Sequence, residues 1–300
     1  PYRLPTTYKW QETTFPQCEI DLFTLQDFCD TLSEFQITRI FFTGDSLAFN
    51  MAQSFWKLLL NTNNPTPLGP GTYHETDNWT RMFTCPNKHV FRIAFARNDQ
   101  LIENNLPVSV PDKIRNCQAY CYKWTTRYLE FEGKTVMIAA TGPHYHHFPD
   151  FKTAFDRFLE KVDSMKRNDD IMFFRTAVPG HENCQETGQT GPFANYREYA
   201  PTATDLYSWD KFIEYNDYVT RVLHERAINP AKHTTLLPLD VFPMTVLRKD
   251  GHVGGEEQLK PHLVGKDCLH YNLPGPIDWW NHLMYSNLGT AAKIIEGMKS

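Results

Sequence analysis

Ile37-Thr38-Arg39-Ile40-Phe41-Phe42, followed at once by Thr43-Gly44-Asp45-Ser46-Leu47, is the stretch that decides the fold. Its first six residues are rich in β-branched and aromatic side chains and read as a buried strand. A stretch of helical period then runs from about Leu47 to Leu60. Outward from this unit the same alternation repeats. Val90 to Ala96, Thr135 to Ala140, Ile171 to Phe174 and Thr234 to Leu237 read as further strands. Between them, Phe151, Ala154, Phe155, Phe158, Leu159, Val162 and Met165 recur at steps of three and four, which is one apolar helix stripe. Trp209, Phe212, Ile213, Val219, Val222 and Leu223 mark another helix, with Ser208 as its expected N-cap, and a last helix spans about 278–298. Strands alternating with helices predict an α/β fold, with a mostly parallel sheet of about five strands between two helical layers. Such sheets bind ligands at the carboxyl ends of their strands. The segments to search are therefore 43–47, 97–107, 141–150, 175–200 and 238–278.

The remaining composition bounds the function. The chain has 300 residues, 41% hydrophobic and 22% charged, with a net charge of −5. Disorder, collagen and coiled coil are excluded. The absence of a Lys/Arg surplus argues against nucleic acid as a partner. No apolar run approaches a membrane span, so any membrane contact would run through an anchor outside these residues. One domain over 1–300 is expected, with a lead-in at 1–36 and long loops at 175–207 and 238–266 on the active-site side.

Seven cysteines are present, at 18, 29, 85, 117, 121, 184 and 268, and none lies in a CxxC pair. Asn78-Trp79-Thr80 is an N-glycosylation sequon. Together they favour an oxidising, secretory compartment over a cytosol with buried thiols. The pairing is open, and the odd count leaves at least one thiol unpaired or paired outside this chain.

Two short motifs can carry chemistry. A serine directly after a strand and opening a helix presents its Oγ at the sheet edge, with its own N–H aimed at a developing oxyanion. The plainer reading is that Ser46 only caps that helix. In Asp267-Cys268-Leu269-His270, the i, i+3 spacing on one turn sets a carboxylate and an imidazole on one side, so that Asp267 fixes the tautomer of His270 while the other ring nitrogen faces a serine. Both motifs occur once, in the order Ser, Asp, His and at expected sheet edges, and the lack of a GxSxG elbow separates this pattern from the α/β-hydrolases.

These residues resemble the SGNH (GDSL) hydrolase superfamily, and within it the PC-esterase domain of the trichome birefringence-like family, whose members O-acetylate polysaccharides. Phe42-Thr43-Gly44-Asp45-Ser46-Leu47, with Asn50 and Ser54, resembles that family's opening motif. Thr141-Gly142-Pro143-His144 is similar to its Asn-Thr-Gly-His segment, with Ala140 in place of Asn and Pro143 inserted. Phe174-Arg175-Thr176, Pro179 and His181 resemble its Phe-Arg-Thr segment, and Arg248-Lys249-Asp250-Gly251-His252 its Arg-x-Asp-Gly-His. Asp267 to Gly275, then Asp278, Trp280 and Asn281, resemble its closing motif. Asn272 stands where plant members carry a second Cys. The resemblance spans about 40–285 and marks a divergent member. It implies a flavodoxin-like sheet within a three-layer α/β/α sandwich.

The resemblance implies Ser46 as nucleophile, His270 as general base then acid, and Asp267 as the group that orients His270. Candidate oxyanion donors are the N–H groups of Ser46 and Gly142, with Asn98 as a substitute by position. Arg175 and His181 are candidate substrate contacts at the sheet edge and on the long loop, with a structural salt bridge as the alternative for Arg175. His144 is a third candidate, and the run His144, His146, His147 is read as no metal site. Arg248, Asp250 and His252 are expected to pin the loop that carries the catalytic pair. The implied function is serine-dependent O-acetyl transfer to a glycan in the Golgi lumen, or in a secreted protein. No bound cofactor is expected, and an acetyl donor, with acetyl-CoA as one candidate, is the co-substrate. A carbohydrate acetyl esterase with the same triad and a catalytically silent glycan-binding protein are the alternatives.

Overall fold

The structure is a computed structural model that describes residues 20–60, 78–103, 121–182, 184, 192–201, 207–229, 232–254 and 267–298. Cys18, Cys117, Gly188, Gly191 and the 255–266 part of the second long loop lie outside the described residues.

Eight strands are described: β1 (Ile37–Gly44), β2 (Asn78–Thr84), β3 (Val90–Arg97), β4 (Lys134–Ala140), β5 (Ile171–Arg175), β6 (Leu236–Leu239), β7 (His252–Gly254) and β8 (Asp267–Tyr271). The helices are α1 (Leu25–Glu34), α2 (Ser46–Leu60), α3 (Trp124–Leu129), α4 (Phe148–Met165), α5 (Phe212–Ala227), the single turn α6 (Phe242–Thr245) and α7 (Pro276–Gly297). The main sheet runs β2-β3-β1-β4-β5-β6, and β7 pairs with β8 apart from it. β3, β1, β4, β5 and β6 are parallel, in the flavodoxin-like order. The sixth strand, β2, is an antiparallel edge strand that the sequence reading did not anticipate.

Two-residue alternation sorts the strand side chains between two cores. Ile40, Phe42, Val136, Ile138, Ile171 and Phe173 pack with Met51 and Phe55 of α2 and with Trp280, Met284 and Leu288 of α7. Phe41, Met137, Ala139, Met172 and Phe174 pack with Trp124 of α3, Phe151, Phe155 and Phe158 of α4, and Phe212 and Tyr215 of α5. A sheet buried on both faces with helices on each is the expected three-layer α/β/α sandwich.

Residues 25–34, expected within a lead-in, form the helix α1, which buries one face. Thr24 caps it by accepting the Asp27 N–H at 3.2 Å, and Phe28 and Leu32 enter the first core. A Cys29–Cys85 disulfide fastens α1 to the chain just after β2. Ser208, expected to cap α5, makes no capping bond and instead meets His146 Nδ1 at 3.3 Å. No helix among the described residues is long and apolar enough to cross a membrane.

Residues of the closing motif lock α7 to α2, and so bring the end of the chain to its beginning. Asp278 accepts the Ser54 hydroxyl at 2.5 Å and the Gly275 N–H at 2.7 Å. Asn281 donates to the Met51 carbonyl at 3.1 Å and to Ser54 Oγ at 2.9 Å.

Candidate active site

The site is built where β1 leaves the sheet. Gly44 has φ +143°, and a Cβ there would stand 2.1 Å from the Ala140 carbonyl oxygen, so only glycine fits the turn. Asp45 then caps α2: its Oδ1 accepts the N–H of Leu47 at 2.9 Å and of Ala48 at 3.1 Å. Capping by Asp45 overturns the plainer reading of Ser46 as the cap. Ser46 is the first residue of α2, and its hydroxyl is committed elsewhere.

That hydroxyl meets His270 Nε2 at 2.6 Å, across 224 residues of sequence. His270 Nδ1 lies 2.8 Å from Asp267 Oδ2 and 3.0 Å from Oδ1. The pair does not sit on a helical turn, as the spacing suggested, but on β8. In a regular strand residues i and i+3 face opposite ways. Here His252 opposes Tyr271 while Gly254 opposes Asp267, so β8 bulges against β7 and the two side chains come to one side. Asp267 Oδ1 also accepts the main-chain N–H of His270 at 2.9 Å and of Leu269 at 3.3 Å. Burial pushes the Asp267 carboxyl up, but the bonds from the His270 ring and from the two amides outweigh it and hold it at about 2. A charged Asp267 fixes the proton on His270 Nδ1 and leaves Nε2 to accept the Ser46 O–H. This is the arrangement a general base needs.

Among the described residues the N–H groups of Ser46 and Gly142 have no hydrogen-bond partner. Gly142 follows β4, and a Cβ on it would meet the Ala177 Cβ at 2.7 Å. Asn98 is a different matter. Its amide donates to the carbonyls of Ile102 and Tyr122, each at 2.9 Å, and ties two loops together. Both its N–H groups are spent, so it does not serve as an oxyanion donor.

Two expected substrate contacts are also corrected. Arg175 shares the parity of Ile171 and Phe173 on β5, so it points into the first core rather than out of the edge. It is wholly buried, 3.7 Å from Asp45 and over the Trp280 ring at 5.1 Å. His181 is 2% exposed. It faces His252 Nε2 at 2.6 Å and the Val246 carbonyl at 2.8 Å, so both its ring nitrogens are engaged inside the protein. His144 keeps a partly exposed position, with Nε2 at 3.4 Å from the buried Asp99. Of its neighbours, His146 turns to Ser208 and His147 is the N-cap residue before α4. Arg248 and Asp250 pair at 2.9 Å, and His252 Nδ1 reaches the His270 carbonyl at 3.1 Å, which ties this motif to β8 as expected.

The sequence reading missed Arg97, Asp99 and Tyr207. Arg97 ends β3 beside Gly44 and pairs with Asp99 at 2.8 Å. Tyr207 feels the charges of Asp267, Asp45 and Asp99, and burial first, then those carboxylates, push its phenol up. Arg97-Asn98-Asp99, a run of polar residues at the end of a strand, is the signal in the sequence that points to Arg97 and Asp99.

A second disulfide, Cys184–Cys268, anchors the loop after β5 to β8 between Asp267 and His270, and Cys121 is disulfide-bonded as well. Asn272, in the position of a plant cysteine, donates instead to the His252 carbonyl at 2.7 Å.

Comparison with known proteins agrees with this geometry. The PC-Esterase model, a GDSL/SGNH-like acyl-esterase family found in Pmr5 and Cas1p, matches residues 26–287. Protein trichome birefringence-like 25 of Arabidopsis thaliana is 25% identical over 92% of this chain and 66% of its own length. Protein trichome birefringence-like 42 of the same plant is 27% identical over 94% of this chain and 77% of its own length. Its xyloglucan O-acetyltransferase 1 is 44% identical over a shorter stretch, 19% of this chain and 15% of that protein. Against the trichome birefringence-like proteins 25, 26 and 20, the chain spans 66%, 60% and 61% of their length. With the match running from α1 into α7, and Ser46, Asp267 and His270 inside it, the chain belongs to the PC-esterase family as a divergent member.

Proposed function

We propose that the chain is a serine-dependent polysaccharide O-acetyltransferase of the secretory pathway. The observation that carries the reading is the contact of Ser46 Oγ with His270 Nε2 at 2.6 Å, backed by Asp267 at 2.8 Å from Nδ1. Family membership and the name of the xyloglucan O-acetyltransferase relative support a glycan acceptor. The disulfides fit the oxidising lumen of the Golgi, or secretion.

The chemistry is double displacement. Ser46 Oγ attacks the carbonyl carbon of an acetyl donor as its proton passes to His270 Nε2. Asp267 stabilises the imidazolium. The tetrahedral oxyanion takes hydrogen bonds from the N–H groups of Ser46 and Gly142, each typically contributing about 3 kcal/mol. Collapse breaks the bond to the donor's leaving group, which takes the proton from His270 and leaves acetyl-Ser46. A sugar hydroxyl then attacks this ester and gives its proton to His270, and collapse returns it to Ser46 Oγ. Acetyl-CoA or another acetyl ester would serve as donor. His144 on the rim is the remaining candidate for acceptor contact. The Asn78 sequon opens the edge strand β2, where its Oδ1 accepts from Arg127 Nε at 2.9 Å.

The test is mass spectrometry of the protein after incubation with a small activated acetyl ester, with and without a panel of oligosaccharides. Wild type is expected to carry an acetyl group on Ser46 that passes to a sugar, and Ser46→Ala and His270→Ala are not. An adduct lost only to water makes the protein an esterase. No adduct on folded wild type sinks the catalytic reading and leaves a glycan-binding protein.

A further inference from the structure

Two buried imidazoles stand in a row behind the strand that carries His270. His181 Nε2 faces the Val246 carbonyl at 2.8 Å. His181 Nδ1 and His252 Nε2 lie 2.6 Å apart. His252 Nδ1 faces the carbonyl of His270 itself at 3.1 Å. All four ring nitrogens are engaged, and the row ends on the main chain of the residue that meets Ser46.

Counting protons along this row gives an odd result. A carbonyl only accepts, so the two outer nitrogens must each carry a hydrogen. The inner contact needs one more. Two neutral imidazoles supply two hydrogens for three contacts. Whichever tautomers they take, one contact is left with lone pair against lone pair. A third proton removes the conflict and makes the inner bond charge-assisted, the kind that is short and strong.

The surroundings act in both directions. Burial is the largest influence and disfavours a charge on either ring taken singly, drawing both imidazoles below their ordinary value. Lys249 and Asp250, beside His181, oppose each other, and Asp250 is itself paired with Arg248. Asp267 favours a charge on His252, and His270 and His181 oppose it. The Tyr271 ring lies nearly parallel to His252 at 4.2 Å, presenting the face that attracts a cation. Phe193 and Tyr199 close around His181, each at 5.5 Å.

We propose that His181 and His252 are positioning residues of the acyl-transfer site, holding one shared proton so that their four ring nitrogens carry three N–H groups, of which the His252 Nδ1–H grips the His270 carbonyl. The proposal rests on the reading of His270 as the general base. Neither ring touches substrate. The pair sets where the His270 backbone sits, and hence how its Nε2 meets Ser46. Its charge titrates as a property of the pair rather than of either ring.

Histidine-selective 15N NMR of the whole protein tests the proton count without needing any activity. His181→Gln and His252→Asn identify the signals. Three protonated ring nitrogens are expected for the pair at neutral pH, and two would overturn the proposal. Three protons in a protein that acquires no acetyl group would sink the catalytic reading instead, so the two failures are distinguishable. On the kinetic side, His252→Ala is expected to lower kcat about 100-fold with KM for a small acetyl ester unchanged. His252→Asn, whose amide can still donate to the His270 carbonyl, should stay within about tenfold of wild type. His181→Gln removes a positive charge near His270, which makes that imidazole easier to protonate, so the acid limb of the pH–rate profile moves to higher pH. A limb that stays in place counts against the shared proton. Should His252→Ala fail to fold, the proton count and the His181→Gln profile still decide.

Discussion

Arg175 Nη2 stands 3.7 Å from Asp45 Oδ1, with both side chains wholly buried beneath Ser46. Arg175 also donates to the Thr176 carbonyl at 2.8 Å, while its Nε and Nη2 and the Asp45 Oδ2 have no hydrogen-bond partner among the described residues. Asp45 therefore answers to two demands, capping α2 with one oxygen and offsetting a buried cation.

Removing the cation leaves Asp45 as a buried charge without compensation. Breaking a buried pair from one side typically costs about 3–5 kcal/mol. Arg175→Met is expected to lose stability of that order in urea denaturation. Replacing both members, Arg175→Met with Asp45→Asn, should recover part of the loss, because Asn can still cap α2. A double variant no more stable than Arg175→Met alone would show that charge balance is not what Asp45 supplies.

The depressed Asp267 makes stability depend on acid in a defined window. Its folded pKa of about 2 lies below the unfolded value of 3.8. The stabilisation is therefore fully present above pH 4 and fades as pH falls toward 2, amounting to about 2 kcal/mol. Asp267→Asn should unfold more easily than wild type at pH 6, and the gap should narrow as pH falls from 4 to 2. A gap independent of pH would mean that the carboxylate charge is not the source.

The Cys184–Cys268 bridge joins β8 between Asp267 and His270, the acid and base of the proposed triad. Closing a loop of 84 residues stabilises the fold by about 4.6 kcal/mol through the entropy of the unfolded chain. Cys184→Ser with Cys268→Ser should lower kcat more than the equivalent double variant of the Cys29–Cys85 bridge, although loop entropy predicts similar losses of stability. Equal losses of activity would assign both bridges a purely global role.

The order of strands and helices was legible because buried parallel strands are continuous apolar runs and the helices carry clean stripes. Gly44-Asp45-Ser46 and Asp267-x-x-His270 could be read because their chemistry needs those residue types. What escaped depended on contacts made late in the chain. β2 is half exposed, and its Asn78-Trp79-Thr80 start reads as a sequon rather than a strand. The i, i+3 spacing of Asp267 and His270 suggests a helical turn, and only the pairing with β7 shows the bulge that replaces it. Arg175 and His181 look like edge residues by position. Strand parity turns one inward, and a second imidazole far along the chain claims the other.

The contact between Ser46 and His270 also orders events in time. On the proposed mechanism the nucleophile belongs to the first strand-to-helix unit and the base to the last strand, so no early portion of the chain holds a working site. A chain ending before Asp267 has its Ser46 but nothing to activate it. During synthesis Ser46 is thus expected to stay inert until the C-terminal strand has docked and α7 has locked to α2. Labelling of Ser46 by a serine-reactive probe becomes a clock for the completion of folding, silent on every partly folded intermediate and switched on by the final step.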